Sequence, residues 1–222
     1  MFDDILQDIE VRETALFEIE RTLFANRYNF SKKQREIFST QSISMIYSIW
    51  EGFIQKSFQS YIDELNKSNL NLFHFTDDII IHHMENSFKQ FFSYPQKKSK
   101  KIKFFNDLQG LYSAETHIIS RIVNTANNVS FDILNKLLIN YSLEPFPEVW
   151  KSYTYPKPNL KETMSQFLKL RNTVAHGGDI DPEEKVTHEV YKKYKNLITD
   201  LMYEMHKKMS NGMFEYLYMR KA

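Results

Sequence analysis

Residues 41–65 read QSISMIYSIWEGFIQKSFQSYIDEL, and this stretch decides the fold class. Large apolar side chains recur in it every three or four residues, which is the repeat of one face of an α-helix and not of a β-strand. Together with the residues before it, the stretch predicts one long helix over residues 31–65. Its apolar stripe consists of Ile43, Ile46, Trp50, Phe53, Ile54, Phe58, Tyr61, Ile62 and Leu65.

The sequence on either side of this helix predicts further helices. Apolar residues at helical spacing indicate one over residues 3–25. Thr76 and Ser130 are suited to helix N-termini, because a short hydroxyl side chain can accept a hydrogen bond from a free backbone N–H group. They predict a helix over residues 76–94, which the following proline stops, and another over residues 130–141.

The C-terminal third carries clear helix boundaries. The capping-box pattern Asn159-Leu160-Lys161-Glu162 predicts the start of a helix over residues 159–175, and Gly177-Gly178 predicts its end. Asp181-Pro182 predicts the start of a last helix, because proline is favoured in the first turn. The apolar stripe of that helix consists of Val186, Val190, Tyr194, Leu197, Leu201, Met205 and Met209.

Composition agrees with an all-α chain. The 222 residues include 5 Gly and 6 Pro, too few for a turn-rich β fold. Hydrophobic residues make up 42% and aromatic residues 15%, enough to fill a large core. We therefore predict a single helical-bundle domain over residues 1–222, with a less regular middle insertion at about 66–158.

Composition also excludes several classes of function. The chain has no Cys, which excludes disulfides, cysteine-ligated zinc and thiol nucleophiles. The net charge is +1, so any surface for nucleic acid must be a local patch. The first residues are acidic and lack the basic segment of a signal peptide, and no apolar run is long enough to span a bilayer. We expect a cytoplasmic protein with no membrane partner.

The stretch with the most chemical content is Leu170-Arg171-Asn172-Thr173-Val174-Ala175-His176-Gly177-Gly178. The planar guanidinium of Arg171 suits phosphate oxygens, and the imidazole of His176 can exchange a proton near neutral pH. On an ideal helix the two residues point about 140° apart, so they converge only if the chain leaves the helix at His176. Asn172 lies four residues before His176 on the same face, where it could orient the ring.

This stretch and the earlier segment Trp50-Glu51-Gly52-Phe53-Ile54 resemble the HEPN superfamily. The signature of that superfamily is an Arg, four to six intervening residues and a His, usually with a small polar residue after the Arg, as Asn172 is here. The two segments, in a chain of about this size, look like the MAE-type stand-alone HEPN nucleases.

The resemblance implies an all-α HEPN-like fold and a metal-independent endoribonuclease that needs no cofactor. Arg171, Asn172 and His176 match the catalytic motif. The resemblance also implies RNA as substrate, a homodimer that brings two such segments together, and a toxin–antitoxin, antiviral or stress role with an antitoxin or other regulatory protein as partner. HEPN toxins silenced by modification of a tyrosine carry that residue just after the His, where this chain has Gly177-Gly178-Asp179, so it does not fit that control.

Glu51 is a carboxylate on an otherwise apolar helix face that it shares with Tyr47 and Phe58. A carboxylate in such a place needs a partner. It could orient Arg171 or His176 and so belong to the catalytic set. It could equally form a structural salt bridge in the bundle or lie at the edge in water.

A dense basic run lies in the middle segment. Its lysines could follow an RNA backbone, although such runs more often form a solvated surface. They are Lys97, Lys98, Lys100, Lys101 and Lys103. Aromatic residues nearby could stack on bases but are more typical of a core. These are Phe91, Phe92, Tyr94, Phe104 and Phe105.

Three interpretations of the Arg–His stretch stay open. It is the active site of a ribonuclease, it holds phosphate or a partner in a non-catalytic HEPN adaptor for RNA, nucleotide or protein, or it complements the dipole of a helix end in a scaffold. We predict no metal site, because the adjacent His82 and His83 point in different directions on a helix. The other histidines of the chain, among them His74, His117, His188 and His206, are isolated in the sequence.

Overall fold

The computed structural model describes residues 2–25, 28–115, 117–126, 128–154, 157–176 and 185–221. Most of these residues are helical, and their only β-type contacts are two isolated bridges, so the all-α prediction is confirmed. The helices are α1 (Asp3–Phe24), α2 (Lys32–Lys67), α3 (Asp77–Ser87), α4 (Lys98–Ser113), α5 (Phe131–Asn140), α6 (Leu160–Ala175) and α7 (His188–Phe214). Short 3₁₀ turns cover Leu72–His74 and Lys89–Phe91.

Helix α2 is the centre of the bundle. It packs against α1, α6 and α7, and α1 and α7 also pack against each other. Every residue of its predicted apolar stripe is fully buried. Ser31 caps its start, because the hydroxyl accepts a hydrogen bond from the Gln34 N–H and the Gln34 side chain accepts one from the Ser31 N–H.

An arginine of α1 fixes that helix against the middle of α2. Arg12 donates hydrogen bonds to Asp8 Oδ2 and to the Ile49 carbonyl oxygen, both at 2.6 Å. Burial alone would raise the pKa of Asp8, but hydrogen bonds from Arg12 and Lys56 outweigh it and lower the pKa. Gly52 leaves room for the guanidinium, since a Cβ there would lie 3.2 Å from Arg12 Nη1. The glycine of the Trp-Glu-Gly segment therefore has a packing role.

The helix predicted over residues 76–94 is shorter than expected. It ends at Ser87, because the backbone leaves helical geometry at Phe88 (φ −126°, ψ 88°). The Phe88 ring packs edge-on against Phe91 and Phe104, which holds the chain in this turn. The predicted cap Thr76 does precede α3, but its hydroxyl makes no cap bond and instead contacts the Ser142 hydroxyl.

Boundaries predicted from caps nearer the C-terminus are confirmed where they lie in the described residues. The Ser130 hydroxyl accepts a hydrogen bond from the Ile133 N–H at the start of α5. The predicted capping box at Asn159 is present at the start of α6. This helix ends at Ala175, as predicted.

The predicted helix stop at Gly177-Gly178 and helix start at Asp181-Pro182 lie outside the described residues. Helix α7 begins later, at His188, where the Thr187 hydroxyl accepts a hydrogen bond from the Val190 N–H. Val186, the first residue of the predicted stripe, is buried but precedes the helix.

An extended segment, the strap (residues 117–126 and 128–129), runs along α2 in the opposite direction. Early strap residues contact the C-terminal end of α2, and late strap residues contact its middle. The contacts are Ile119 with Asn66, Arg121 with Asp63, Thr125 with Glu51 and Val129 with Tyr47. Loop residues of the middle segment are thereby tied to the central helix by side chains.

Helix α4 contributes little to the main core. Its partly buried Leu111 packs against the core cluster, whereas its buried residue Phe104 packs in an aromatic group with Phe88, Phe91 and Tyr94. None of the described helices is long and apolar enough to cross a membrane.

Candidate active site

The guanidinium of Arg171 lies over the ring of Tyr47, where α6 packs against α2. The guanidinium carbon is 4.1 Å from the centre of the ring, which is the geometry of a cation–π contact. Phe167, one turn earlier on α6, packs against the same ring at 6.2 Å between centroids. Tyr47 is 1% exposed, so its ring is a fixed surface and not a mobile one.

The Tyr47 hydroxyl is held as firmly as the ring. Its oxygen accepts a hydrogen bond of 2.9 Å from the Val129 N–H of the strap, and the Glu51 carboxylate lies nearby. Glu51 in turn accepts a hydrogen bond of 3.1 Å from the Thr125 hydroxyl. Burial raises the pKa of Tyr47, and the nearby Glu51 carboxylate adds to this rise, so the group is a neutral donor.

Asn172 orients Arg171 by its side chain. Asn172 Oδ1 accepts a hydrogen bond of 2.8 Å from Arg171 Nη1. We predicted that this amide faces His176, but the bond to His176 is made by the Asn172 backbone oxygen, which accepts from the His176 N–H at 3.0 Å. The small polar residue after the Arg thus steadies the guanidinium.

His176 stands at the end of α6 as its C-cap (φ −92°, ψ 5°), and its side chain is exposed. The backbone therefore leaves the helix at this residue, as the convergence of Arg171 and His176 requires. Within the described residues no hydrogen bond joins the two side chains. The imidazole is open to a substrate or to a second chain.

The arrangement leaves Arg171 chemically available. A guanidinium has five N–H donors in one plane, and stacking on a ring uses the face and none of them. One donor is engaged with Asn172, and the described residues supply no carboxylate partner for the rest. A half-buried, oriented cation with unused in-plane donors is suited to two oxygens of a phosphate.

Glu51 lies close to Arg171 without pairing with it. Both are neighbours of Tyr47, Arg171 over its ring and Glu51 near its hydroxyl. In the described part of the chain the two charges form no ion pair. Of the positions considered for Glu51, the structure shows the one near Arg171, because both residues are neighbours of Tyr47.

The lysine run opens α4, and three of its members line an open cavity of about 670 Å³. The lining includes Lys89, Lys97, Lys100, Lys103 and Tyr94. Carboxylates are absent from the first turn of α4, so positive charge faces the positive end of the helix dipole. No described contact joins these lysines to Arg171 or His176.

Of the aromatic residues near the lysines, only Phe104 is buried. Phe91, Phe92, Tyr94 and Phe105 are exposed, which departs from the core role that is typical of such residues. Lys101 lies 5.1 Å from the centre of the Tyr94 ring. The surface around α4 therefore presents both cations and open ring faces.

His117, which stands alone in the sequence, is paired with His83 in the structure. His83 Nδ1 accepts a hydrogen bond from the Ser120 N–H at 3.0 Å. A neutral His83 then carries its proton on Nε2, which lies 2.8 Å from His117 Nε2. Burial, with His117 and His82 nearby, lowers the pKa of His83 to about 4. Among the described residues, no group of three or more His, Asp or Glu side chains is placed to hold a metal ion.

Comparison with known proteins adds one finding. A family model described as RiboL-PSP-HEPN matches residues 8–211. The chain belongs to the RiboL-PSP-HEPN family. Neither the search of curated proteins nor the search of solved structures gives a match. The predicted membership of the HEPN superfamily is confirmed, while the likeness to the MAE-type nucleases rests on the two motifs alone.

One residue of the candidate site, Tyr47, was not singled out from the sequence. The signal was present, since Tyr47 shares a helix face with Glu51 one turn away. A tyrosine on an apolar stripe is usually a core residue, and Tyr47 is buried like one. Only the crossing of α2 with α6 shows that its ring face meets Arg171.

Proposed function

We propose that this chain is a metal-independent endoribonuclease of the HEPN type. The observation that carries the proposal is the Arg171 guanidinium, which lies over the Tyr47 ring and makes one hydrogen bond among the described residues, at the same helix end as the exposed His176. Membership of a HEPN family supports an RNase or RNA-binding role.

The reaction needs only these two kinds of group, because RNA carries its own nucleophile. The 2′-hydroxyl attacks the adjacent phosphorus, and a histidine accepts its proton. Arg171 donates hydrogen bonds to the phosphorane oxygens as negative charge develops there. The bond from phosphorus to the 5′-oxygen breaks, and a second histidine donates a proton to that oxygen. The products are a 2′,3′-cyclic phosphate and a 5′-hydroxyl.

A homodimer supplies the second histidine. One chain offers a single Arg171 and a single His176 in this stretch, whereas a two-fold axis beside the end of α6 brings two of each into one cleft. Exposure of His176 at that helix end fits this arrangement. In it, one subunit's histidine is the base and the other's is the acid.

The remaining residues of the predicted site take supporting roles. Asn172 orients the guanidinium through its side-chain oxygen, and Glu51 acts one step further away through Tyr47. The lysines at 97, 98, 100, 101 and 103 bind the RNA backbone at a distance from the cleavage site. The exposed aromatic rings beside them stack on bases. We also propose a toxin, antiviral or stress role with an antitoxin or other regulatory partner, on the HEPN resemblance alone.

A non-catalytic HEPN adaptor that binds RNA, a nucleotide or a partner protein is the alternative. One observation favours it, namely that no described bond joins the Arg171 and His176 side chains. In such a protein Arg171 would hold a phosphate that is not cut.

A cleavage assay tests the proposal. Purified protein is incubated with single-stranded RNA in excess EDTA, next to the same RNA carrying 2′-O-methyl groups. We expect cyclic-phosphate products from the first and no product from the second. Arg171→Ala and His176→Ala should each lower the rate by about 10²–10⁴-fold with the fold intact, because each removes a group that acts in the transition state.

Three results would contradict this mechanism. One is cleavage that chelation abolishes and magnesium or manganese restores, and another is cleavage of the 2′-O-methyl RNA. Full activity of both variants would exclude the assigned residues. RNA binding without cleavage would support the adaptor.

A further inference from the structure

The contact between Arg171 and Tyr47 lies beside a carboxylate that could otherwise form an ion pair with Arg171. Glu51 lies on the same helix face as Tyr47 and near its hydroxyl, so a carboxylate is available in the neighbourhood of the guanidinium. A direct ion pair would use the in-plane N–H donors of Arg171 that a phosphate needs. The guanidinium carbon lies instead over the Tyr47 ring, 4.1 Å from its centre, and no ion pair joins Arg171 to Glu51 in the described part of the chain.

The ring that carries this contact is fixed on several sides. Phe167 packs against it, the Val129 N–H donates to its hydroxyl, and the residue is buried. An arginine side chain loses rotamer freedom when it is fixed, which disfavours an ordered arginine. A rigid face that orders Arg171 before RNA arrives removes part of that cost from the reaction.

We propose that Tyr47 is the positioning residue for Arg171, and that it aims the guanidinium edge at the RNA phosphate. This inference rests on the proposed ribonuclease function. Tyr47 touches no reacting atom. It acts through Arg171 by holding the guanidinium over its ring, which leaves the in-plane N–H donors to face the phosphate.

The test compares variants of two buried tyrosines of α2. Tyr47→Leu removes the ring face, and Tyr47→Phe keeps the face but loses the hydroxyl. Tyr61→Leu is the control, because Tyr61 is equally buried, its hydroxyl has no partner in the described structure, and it packs against Phe2 and Tyr141 instead of α6. All are measured as kcat and KM on one RNA, alone and in an Arg171→Ala background.

We expect Tyr47→Leu to lower kcat by about 10–100-fold relative to Tyr61→Leu, with a smaller change in KM, because the misplaced guanidinium still attracts RNA. Tyr47→Phe should lose less activity than Tyr47→Leu, because it keeps the ring that lies against the guanidinium. In the Arg171→Ala background Tyr47→Leu should add no further loss, since a residue that acts through another has nothing left to act on.

A measurement on the unmodified protein covers the case in which Tyr47→Leu fails to fold. The Nε–H signal of Arg171, assigned with Arg171→Lys, should show the ring-current shift of a proton held over an aromatic face. A signal at the position of a freely rotating arginine would overturn the inference.

The outcomes separate this inference from the proposed function. If Arg171→Ala is inactive but Tyr47→Leu behaves like Tyr61→Leu, the positioning role is wrong and the ribonuclease stands. If Tyr47→Leu lowers kcat further in the Arg171→Ala background, the positioning role is also wrong. If Arg171→Ala keeps full activity, both proposals are wrong.

Discussion

Two glycines inside helices meet opposite surroundings, and this predicts opposite effects of the same substitution. At Gly212 in α7, a Cβ would lie 2.4 Å from Leu143 Cδ2 and 3.1 Å from the Tyr61 hydroxyl. At Gly110 in α4, no atom lies within 4 Å of that position.

We expect Gly212→Ala to lower the free energy of unfolding by about 1 kcal/mol, because crowding that costs about 1–3 kcal/mol outweighs the roughly 1 kcal/mol that alanine gains in a helix. Gly110→Ala should raise that free energy by up to about 1 kcal/mol. Urea unfolding of both variants beside the unchanged protein measures the pair. A change of the same sign at both positions would mean that packing does not distinguish them.

The buried histidines make stability depend on pH. The pKa of His83 is about 4 in the folded chain, below the ordinary value of about 6.5, so the unfolded chain binds more protons between these values. The stability that a neutral His83 contributes is therefore complete above about pH 6.5 and is lost as pH falls toward about 4. Burial also lowers the pKa values of His82 and His117, and both act in the same direction.

We expect the free energy of unfolding to fall by at least about 1 kcal/mol between about pH 7 and about pH 5.5, where most carboxylates remain ionised. In His83→Gln this slope should be shallower, whatever the absolute stability of the variant. Urea unfolding at several pH values gives the slope. An unchanged slope in His83→Gln would show that His83 does not carry it.

Among the elements, α4 concentrates positive charge at its N-terminal end and contributes only Leu111 to the packing around the main core. Changing four of its lysines to glutamine should weaken RNA binding and flatten its salt dependence by roughly 0.7 for each lost phosphate contact, because fewer counterions are released. The changed residues are Lys97, Lys98, Lys100 and Lys103. The melting temperature should stay the same or rise, since these side chains are exposed and oppose the helix dipole.

The control for this experiment carries the same loss of charge on other helices and at the C-terminus. Its four exposed lysines are Lys33, Lys192, Lys207 and Lys221. Fluorescence anisotropy with a 2′-O-methyl RNA measures affinity at several salt concentrations. Equal effects of the two sets would mean that only net charge matters and that α4 is not a binding surface.

The sequence predicted those elements whose boundaries are local. The stripe of α2 and the capping box at Asn159 depend on residues within a few turns, and both are as expected. The end of α3 depends on the Phe88 ring meeting Phe104 of a later helix, which no local pattern reports. The strap could not be predicted from a helical or strand repeat, because hydrogen bonds to side chains of α2 and α3 fix its path.

For the candidate site, the sequence indicated which side chains are chemically useful but not which residues hold them in place. Arg171 and His176 were singled out because their types and spacing are unusual at a helix end. The ring beneath Arg171 was missed, since its contact joins two helices far apart in the chain. The predicted partner of Asn172 changed from His176 to Arg171, because the choice depends on rotamers at the last turn.

At the scale of the whole molecule, we predict a two-fold dimer with the α6 ends of both chains in one cleft. Light scattering at micromolar concentration should give twice the mass of one chain. Mixing unchanged protein with an equal amount of His176→Ala, after subunit exchange, should leave about a quarter of dimers with two histidines. Activity should therefore fall to about a quarter, and not to the half expected for independent subunits.

A matched control for this mixing experiment is Gly110→Ala, which lies on α4, away from the α6 ends. A mixture of unchanged protein with an equal amount of Gly110→Ala should have the same activity per chain as the unchanged protein. A fall of activity to one half on mixing with His176→Ala would contradict the shared site. A stable monomer that is fully active would contradict it as well.

The strap carries a consequence for hydrogen exchange. Its amides of Ile119, Ser120 and Val129 donate to side chains, namely Asn66 Oδ1 at 2.6 Å, His83 Nδ1 at 3.0 Å and Tyr47 Oη at 2.9 Å. These amides should exchange slowly with deuterium although they belong to no helix, and each protection factor reports on one side chain. Tyr47→Phe should speed exchange at Val129 and leave Ile119 slow. Slow exchange at Val129 in Tyr47→Phe would mean that something other than the hydroxyl protects it.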